Sequence, residues 1–353
     1  MSFRQQLIGL FILFTTLFFT GCKPQPQPGP DGPINAGTDG IYILNEGLFQ
    51  MNNCTLSYYD FESQALTDDI FTQVNNRGLG DTGNDLQRYG NKMYAVINNS
   101  NRVEIMDVKT AKSLKAISLT GKSPRHIAFY NGKAFVSCFD GDIVRIDTST
   151  LDIDATFYSG SNPEGLCVCN GKLYVANSGG LNYPNYDNTL SVFDVNTLEM
   201  IDTVIVGKNP SKVCCDGNRI YVCCKGNYGD EAGRLLEIIT STNETYRTWN
   251  NIQNFTIFDG KAYVYDVRYK GTSDAIRVIN LHNDSYDQGD CFIKDGTHIQ
   301  MPYSITVNPI NGDVYITDVH DFSVTGDVIC FNKEGQKKFT FSAGLNPNAI
   351  VFK

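Results

Sequence analysis

The sequence predicts an all-β fold: a seven-bladed propeller closed by pairing of its C-terminal strand with its N-terminal strand. Three observations carry this. A turn and short strand reading roughly Gly-Lys-x-Tyr-Val recurs, its aromatic falling at Tyr42, Tyr94, Phe135, Tyr174, Tyr221, Tyr263 and Tyr315. The gaps of 52, 41, 39, 47, 42 and 52 residues suit one four-stranded blade with variable loops. A second landmark precedes each turn: Asp81-Thr-Gly-Asn, Ser123-Pro-Arg, Asn162-Pro-Glu, Asn209-Pro-Ser, Asn254-Phe-Thr, Met301-Pro-Tyr and Asn346-Pro-Asn. Finally, the last landmark, Asn346 to Lys353, lacks a following Tyr-Val strand, and the first Tyr-Val strand, Ile41 to Leu44, lacks a preceding landmark. Pairing these two orphans closes the ring and leaves no bare sheet edge between the first and last blades.

In chain order, residues 1–21 read as a signal peptide. Arg4 supplies a positive n-region, Leu7 to Phe19 an apolar run short for a bilayer span, and Thr20-Gly-Cys22 a small-residue cleavage site. This resembles a bacterial lipoprotein signal, which implies that Cys22 becomes a lipidated first residue anchoring the protein to a membrane. Residues 22–37 continue as a Pro-rich tether that favours extended polyproline conformation. Residues 38–353 then hold the propeller as one domain.

Within a blade, the segment around Tyr174 shows the expected anatomy. Leu166 to Cys169 is a first strand, Asn170-Gly171 a hairpin turn, Leu173 to Ala176 the second strand and Leu190 to Phe193 the third. Asp194-Val-Asn-Thr197 follows as a turn in which side-chain oxygens accept bonds from turn amides, as at Asp107/Thr110, Asp147/Thr150 and Asp60/Ser63. These Asp residues are expected to be structural.

Composition narrows the function. A net charge of −9 with no Lys/Arg block argues against nucleic acid, which needs a basic face. Of the eleven cysteines, those beyond Cys22 read as small buried hydrophobes. A disulfide is open in an exported protein, for example across the Cys214/Cys223 hairpin, but spacing fixes no pairing. No structural metal is expected. The four histidines, His126, His282, His298 and His320, are scattered, and no nucleophile–base spacing stands out. Asp81 with Asp85 and Asp318 with Asp321 are read as solvated loop carboxylates, so no catalytic residue, no cofactor and no enzyme activity are expected.

The loops between second and third strands should rise around one mouth of the central channel. They are rich in Asn and aromatics, as in Asn177-Ser-Gly-Gly-Leu-Asn-Tyr-Pro-Asn-Tyr-Asp187. Amides donate and accept, and rigid rings give apolar area at low entropic cost, so this mixture suits a large neutral ligand with a polar edge.

Lys172-Leu-Tyr-Val-Ala-Asn177, Arg219-Ile-Tyr-Val222, Lys261-Ala-Tyr-Val264 and the Asn-Pro landmarks resemble the surface-layer-like propellers with Tyr-Val-Thr-Asn repeats. More narrowly, the lipobox, the tether, Ile41-Tyr-Ile-Leu-Asn-Glu-Gly47 and Gly80-Asp-Thr-Gly-Asn-Asp-Leu86 are similar to the BtuG group of surface lipoproteins of gut Bacteroidota. That resemblance implies capture of cobalamin or a related corrinoid and its delivery to a TonB-dependent outer-membrane transporter, with the protein lipid-anchored at the outer membrane. One departure is that Lys23 and a neutral Pro/Gln run follow Cys22, where surface-exported relatives carry acids. The other readings are a scaffold for protein or glycan and a propeller enzyme. On loop placement alone, the mouth residues are expected to be Phe49, Asn98, Arg125, Phe139, Asn177, Tyr183, Tyr186, Tyr228, Tyr269, Tyr303, His320 and Phe322.

Overall fold

A computed structural model describes residues 39–266, 276–282 and 289–353. The described residues form seven four-stranded antiparallel sheets. In six of them the strands follow chain order from the axis outward, as in the fourth blade: Pro163–Cys169, Lys172–Asn177, Thr189–Asp194 and Met200–Ile205. The first blade is built from both chain ends. Its innermost strand is Pro347–Phe352, paired with Gly40–Asn45 in the register Ile41↔Phe352 to Leu44↔Ala349. The bonds Glu46 N–H to Asn346 O at 2.9 Å and Gly47 N–H to Leu345 O at 3.1 Å extend the closure beyond the ladder. The predicted ring closure is therefore present.

Each of the seven recurrent aromatics sits in the second strand of its blade and is buried. They pack in the clusters between sheets, where burial of one such side chain contributes roughly 1.5–3 kcal/mol. That is why the repeat could be read: the ring is held by the residue type that recurs. The Asp turns behave as expected. Asp194 Oδ1 accepts from the amides of Asn196 and Thr197 at 2.9 Å, and Asp107 Oδ1 from Lys109 and Thr110 at 3.0 Å.

Two features depart from the sequence reading. The first blade ends in a two-residue strand, Leu66–Thr67, followed by a short helix, Ile70–Asn75, whose Phe71 fills the gap beside the second blade. A disulfide joins Cys169 to Cys215, linking the inner strands of the fourth and fifth blades. The Cys214/Cys223 pairing does not form, because across that hairpin Cys214 lies opposite Tyr221 and Cys223 opposite Lys212.

Candidate binding site

The landmarks build the channel wall. Thr82, Ser123, Asn162, Asn209 and Asn346 all adopt positive φ, between 48° and 62°, a conformation that Asn tolerates better than most residues. The carbonyl of each accepts from the residue just past the second strand: Asn98 to Thr82 at 2.8 Å, Phe139 to Ser123 at 3.1 Å and Ser178 to Asn162 at 3.1 Å. Proline opens the inner strand in five of the blades, where no amide is required, and Gly83 takes that place in the second. Immediately after it the ladder slips in six of the inner strands. A bulge of this kind re-aims side chains. Here it turns two consecutive residues toward the axis, such as Arg125 with His126 and Ser211 with Lys212. Buried hydroxyls of the second strand satisfy the displaced amides: His126 N–H donates to Ser137 Oγ at 3.1 Å and Ser304 N–H to Thr317 Oγ1 at 2.8 Å.

The result is a cavity of about 490 Å³ on the ring axis. Arg125 dominates one side. Its guanidinium donates to both oxygens of Glu164 at 3.1 and 3.0 Å and to Asn84 Oδ1 at 2.9 Å, and lies 4.4 Å from the Phe139 ring centroid. His126 bridges Glu164, at 3.2 Å from Nε2, and Asp85, at 3.5 Å from Nδ1. Burial alone would push Glu164 up, but Arg125 and His126 outweigh it and bring the carboxyl down to about 2. For His126, burial disfavours the charge, yet the bonds to Asp85 and Glu164 prevail and raise its pKa. From the seventh blade, Tyr303 donates its hydroxyl to Glu46 Oε2 at 2.5 Å, and burial raises the pKa of Glu46. These groups satisfy one another, which suits a fixed recognition surface.

Above the cavity the rim is aromatic and open. Phe49, Tyr183 and Tyr228 are 64%, 73% and 65% exposed, unusual for such side chains on one face. Tyr183, Tyr186 and Tyr228 form a chain of edge-to-face contacts with successive centroids 6.0 Å apart, leading from the fourth-blade loop to the cavity lip. Phe322 and Tyr303 make a similar contact at 5.6 Å. The long loop is pinned at its base by Asp187 N–H to Ser178 O at 3.0 Å and Gly179 N–H to Ser161 O at 2.9 Å.

Of the residues expected at the mouth, Arg125, Tyr228, Tyr303 and Phe322 line the cavity. Phe49, Tyr183 and Tyr186 stand on the rim, and Phe139 backs Arg125. Asn177 is turned into its blade, and Asn98 onto the inner strand of the next blade. Asn98 Nδ2 donates to Pro124 O at 3.1 Å, and the buried Asn177 amide donates to Thr189 Oγ1 at 3.1 Å and Ser191 Oγ at 2.9 Å, just as Asn45 does to Thr55 and Ser57. His320 lies between Asp318 at 3.6 Å and Asp327 at 3.3 Å. Tyr269 and Cys22 lie outside the described residues. Asp81, Asp85 and Asp318 are buried, contrary to the solvated reading. Asp85 is in a strand facing His126, Asp81 takes the amides of Gln50 and Asn52, and Asp318 takes those of Gln300 and Met301. Sequence reasoning missed Asp85, His126, Glu164, Lys212 and Lys225. The signal that could have found four of them is their position one or two residues after the landmark Pro or Gly.

Among the described residues, no cluster of three or more His, Cys, Asp or Glu could hold a metal ion, and no helix is long and apolar enough to cross a membrane. The chain is similar in structure to a quinonprotein alcohol dehydrogenase-like protein from Bacteroides thetaiotaomicron, with a TM-score of 0.66 and 18% identity over 90% of this chain and 78% of that one. It is also similar to hydrazine synthase of Kuenenia stuttgartiensis, with a TM-score of 0.61 and 12% identity over 76% and 88%. A third is the computationally designed Ika8 protein, with a TM-score of 0.59 and 14% identity over 91% and 92%. At these identities the likeness is one of fold. A search of the curated proteins finds no match. The model of a family described as Domain of unknown function (DUF5074) matches residues 39–352, and the chain belongs to that family.

Proposed function

We propose that this protein captures a corrinoid at the propeller mouth and passes it to a TonB-dependent outer-membrane transporter, held at the membrane by lipid on Cys22. The observation that carries this is the open aromatic rim above a polar well: Phe49, Tyr183, Tyr228 and Phe322 around the Arg125–Glu164 pair. A corrin is a broad, nearly flat macrocycle edged with amides. Rings on the rim cover its faces, and polar groups meet its edge. A cavity of about 490 Å³ does not enclose such a macrocycle, so the ring rests on the rim while one substituent descends. No catalytic role is assigned to the residues of the well.

Calorimetric titration of cyanocobalamin into the propeller, residues 38–353, tests the proposal, with visible absorbance read after desalting. Tight stoichiometric binding is expected. Tyr183→Ala with Tyr186→Ala is expected to weaken it by about 1–3 kcal/mol, because exposed rings buried by ligand dominate such sites. Absence of heat and colourless protein would remove the corrinoid reading in favour of a scaffold for protein or glycan.

A further inference from the structure

The cavity's internal pairs leave two ammonium groups over, both on the fifth blade. Lys212 follows the landmark Asn209-Pro-Ser in the inner strand, and Lys225 follows the second strand. Both line the cavity. Arg125 is taken by Glu164, and His126 by Asp85 and Glu164. Among the described residues, neither Lys212 nor Lys225 has a carboxylate within ion-pair distance. The ammonium of Lys212 lies 5.7 Å from the Phe255 ring centroid, over apolar surface. Glu46, the remaining nearby acid, does not line the cavity; it accepts from the Tyr303 hydroxyl and acts on Lys225 through space without an ion-pair contact. The Phe255 ring face and, at longer range, Asp85 offset only part of the cost of burying the Lys212 ammonium. Lys225 feels Glu46 and Glu164 only through space, so an anion arriving in contact with both lysines offsets what remains. Consistently, burial holds the Lys212 ammonium below the usual lysine range.

We propose that Lys212 and Lys225 form an anion subsite in the wall of the cavity, taking a phosphate group carried by the ligand. This rests on the corrinoid reading for its natural occupant: the nucleotide arm of a cobalamin joins the macrocycle through a phosphodiester, the one anionic link in an otherwise amide-edged molecule. Two lysines act as point charges suited to a phosphate, without the fork geometry a carboxylate prefers. Inorganic phosphate shares the chemistry.

The test compares cyanocobalamin with dicyanocobinamide, which lacks the nucleotide arm and its phosphate. Both are titrated into the wild-type propeller and into Lys212→Gln with Lys225→Gln. The line width of inorganic phosphate is followed by phosphorus NMR with the same proteins. Wild type is expected to prefer cobalamin by roughly ten- to hundredfold, and the variant to lose that preference while keeping cobinamide affinity. Loss of the preference without phosphate broadening assigns the subsite to carried phosphate. Equal binding of both corrinoids by wild type, or a preference that survives in the variant, overturns the subsite and leaves corrinoid capture standing. If neither corrinoid binds, phosphate broadening that disappears in the variant upholds the subsite and sinks the corrinoid reading, whereas broadening absent or unchanged sinks both. Lys225→Gln alone, at a position partly open to solvent, replaces the double variant if that does not fold.

Discussion

Glu164→Gln probes the pair that shapes the cavity. The substitution keeps volume and one accepting oxygen but removes the charge that faces Arg125 at 3.0 Å and His126 at 3.2 Å. Glu164 is displaced from its ordinary 4.5 to about 2, which corresponds to about 3 kcal/mol at neutral pH. That is a ceiling. The side chains of Glu164 and Arg125 are 9% and 20% exposed in a cavity open to the mouth, so screening lowers the expected loss to about 1–3 kcal/mol. Because the folded value lies below the unfolded one, the contribution is complete above pH 4.5 and fades as pH falls toward 2. His126 runs the other way. Its raised value gives stability that is full below 6.5 and lost as pH rises through the folded value, so the comparison belongs near pH 6. Urea midpoints can be followed through Trp249, the single tryptophan, buried in the outer strand of the fifth blade. The variant should unfold at lower urea at about pH 6, and the gap should narrow from about pH 4.5 downward. Coincident midpoints at pH 6, or a gap that stays constant on acidification, would refute the electrostatic account.

Replacing Cys169 and Cys215 together by Ser should cost up to about 4 kcal/mol, from the entropy of closing a loop with a sequence separation of 46. A wild-type urea midpoint indifferent to reductant would contradict this. Asn162→Ala should cost about 1–2 kcal/mol, because Ala resists the positive φ of 48° and the Asn162 Nδ2 bond to Phe139 O at 2.8 Å is lost. Asn162→Gly should cost less in the same assay, and equal losses would remove the backbone from the explanation.

The ring was legible because the residues that hold it are the ones that repeat. Tyr174 and its six counterparts are second-strand aromatics in the inter-blade core, and the Asn-Pro landmarks mark a turn whose positive φ narrows the residue choice. The wall of the channel was less legible. Strand alternation predicts one inward residue in two, but the bulge after the proline points two neighbours inward, so Glu164, His126 and Lys212 look like isolated charges in unremarkable strands. Arg125 and Tyr303 were found, as landmark residues beside the loops. Asn177 misled for the opposite reason: its amide closes bonds inside the blade, which sequence does not separate from an amide facing a ligand. Cys169 and Cys215 become neighbours only when the fourth and fifth blades pack, and no local spacing records that.

The sixth blade shows why the bulge matters to the site. Its landmark, Asn254-Phe-Thr, has no proline, and its inner strand Asn254–Phe258 pairs with Lys261–Tyr265 in unbroken register. The residue after the landmark Asn is therefore Phe255, buried in the core between the fifth and sixth blades. Where the bulged blades bring a charge and its partner together across a blade boundary, as Arg125 and Glu164 do, this boundary offers Lys212 an apolar ring. That Lys212 meets a ring here, with no carboxylate in contact, thus follows from a regular ladder beside a bulged one. Changing the two residues after a landmark would alter the well while the aromatic core keeps its packing, at the electrostatic cost expected for Glu164→Gln.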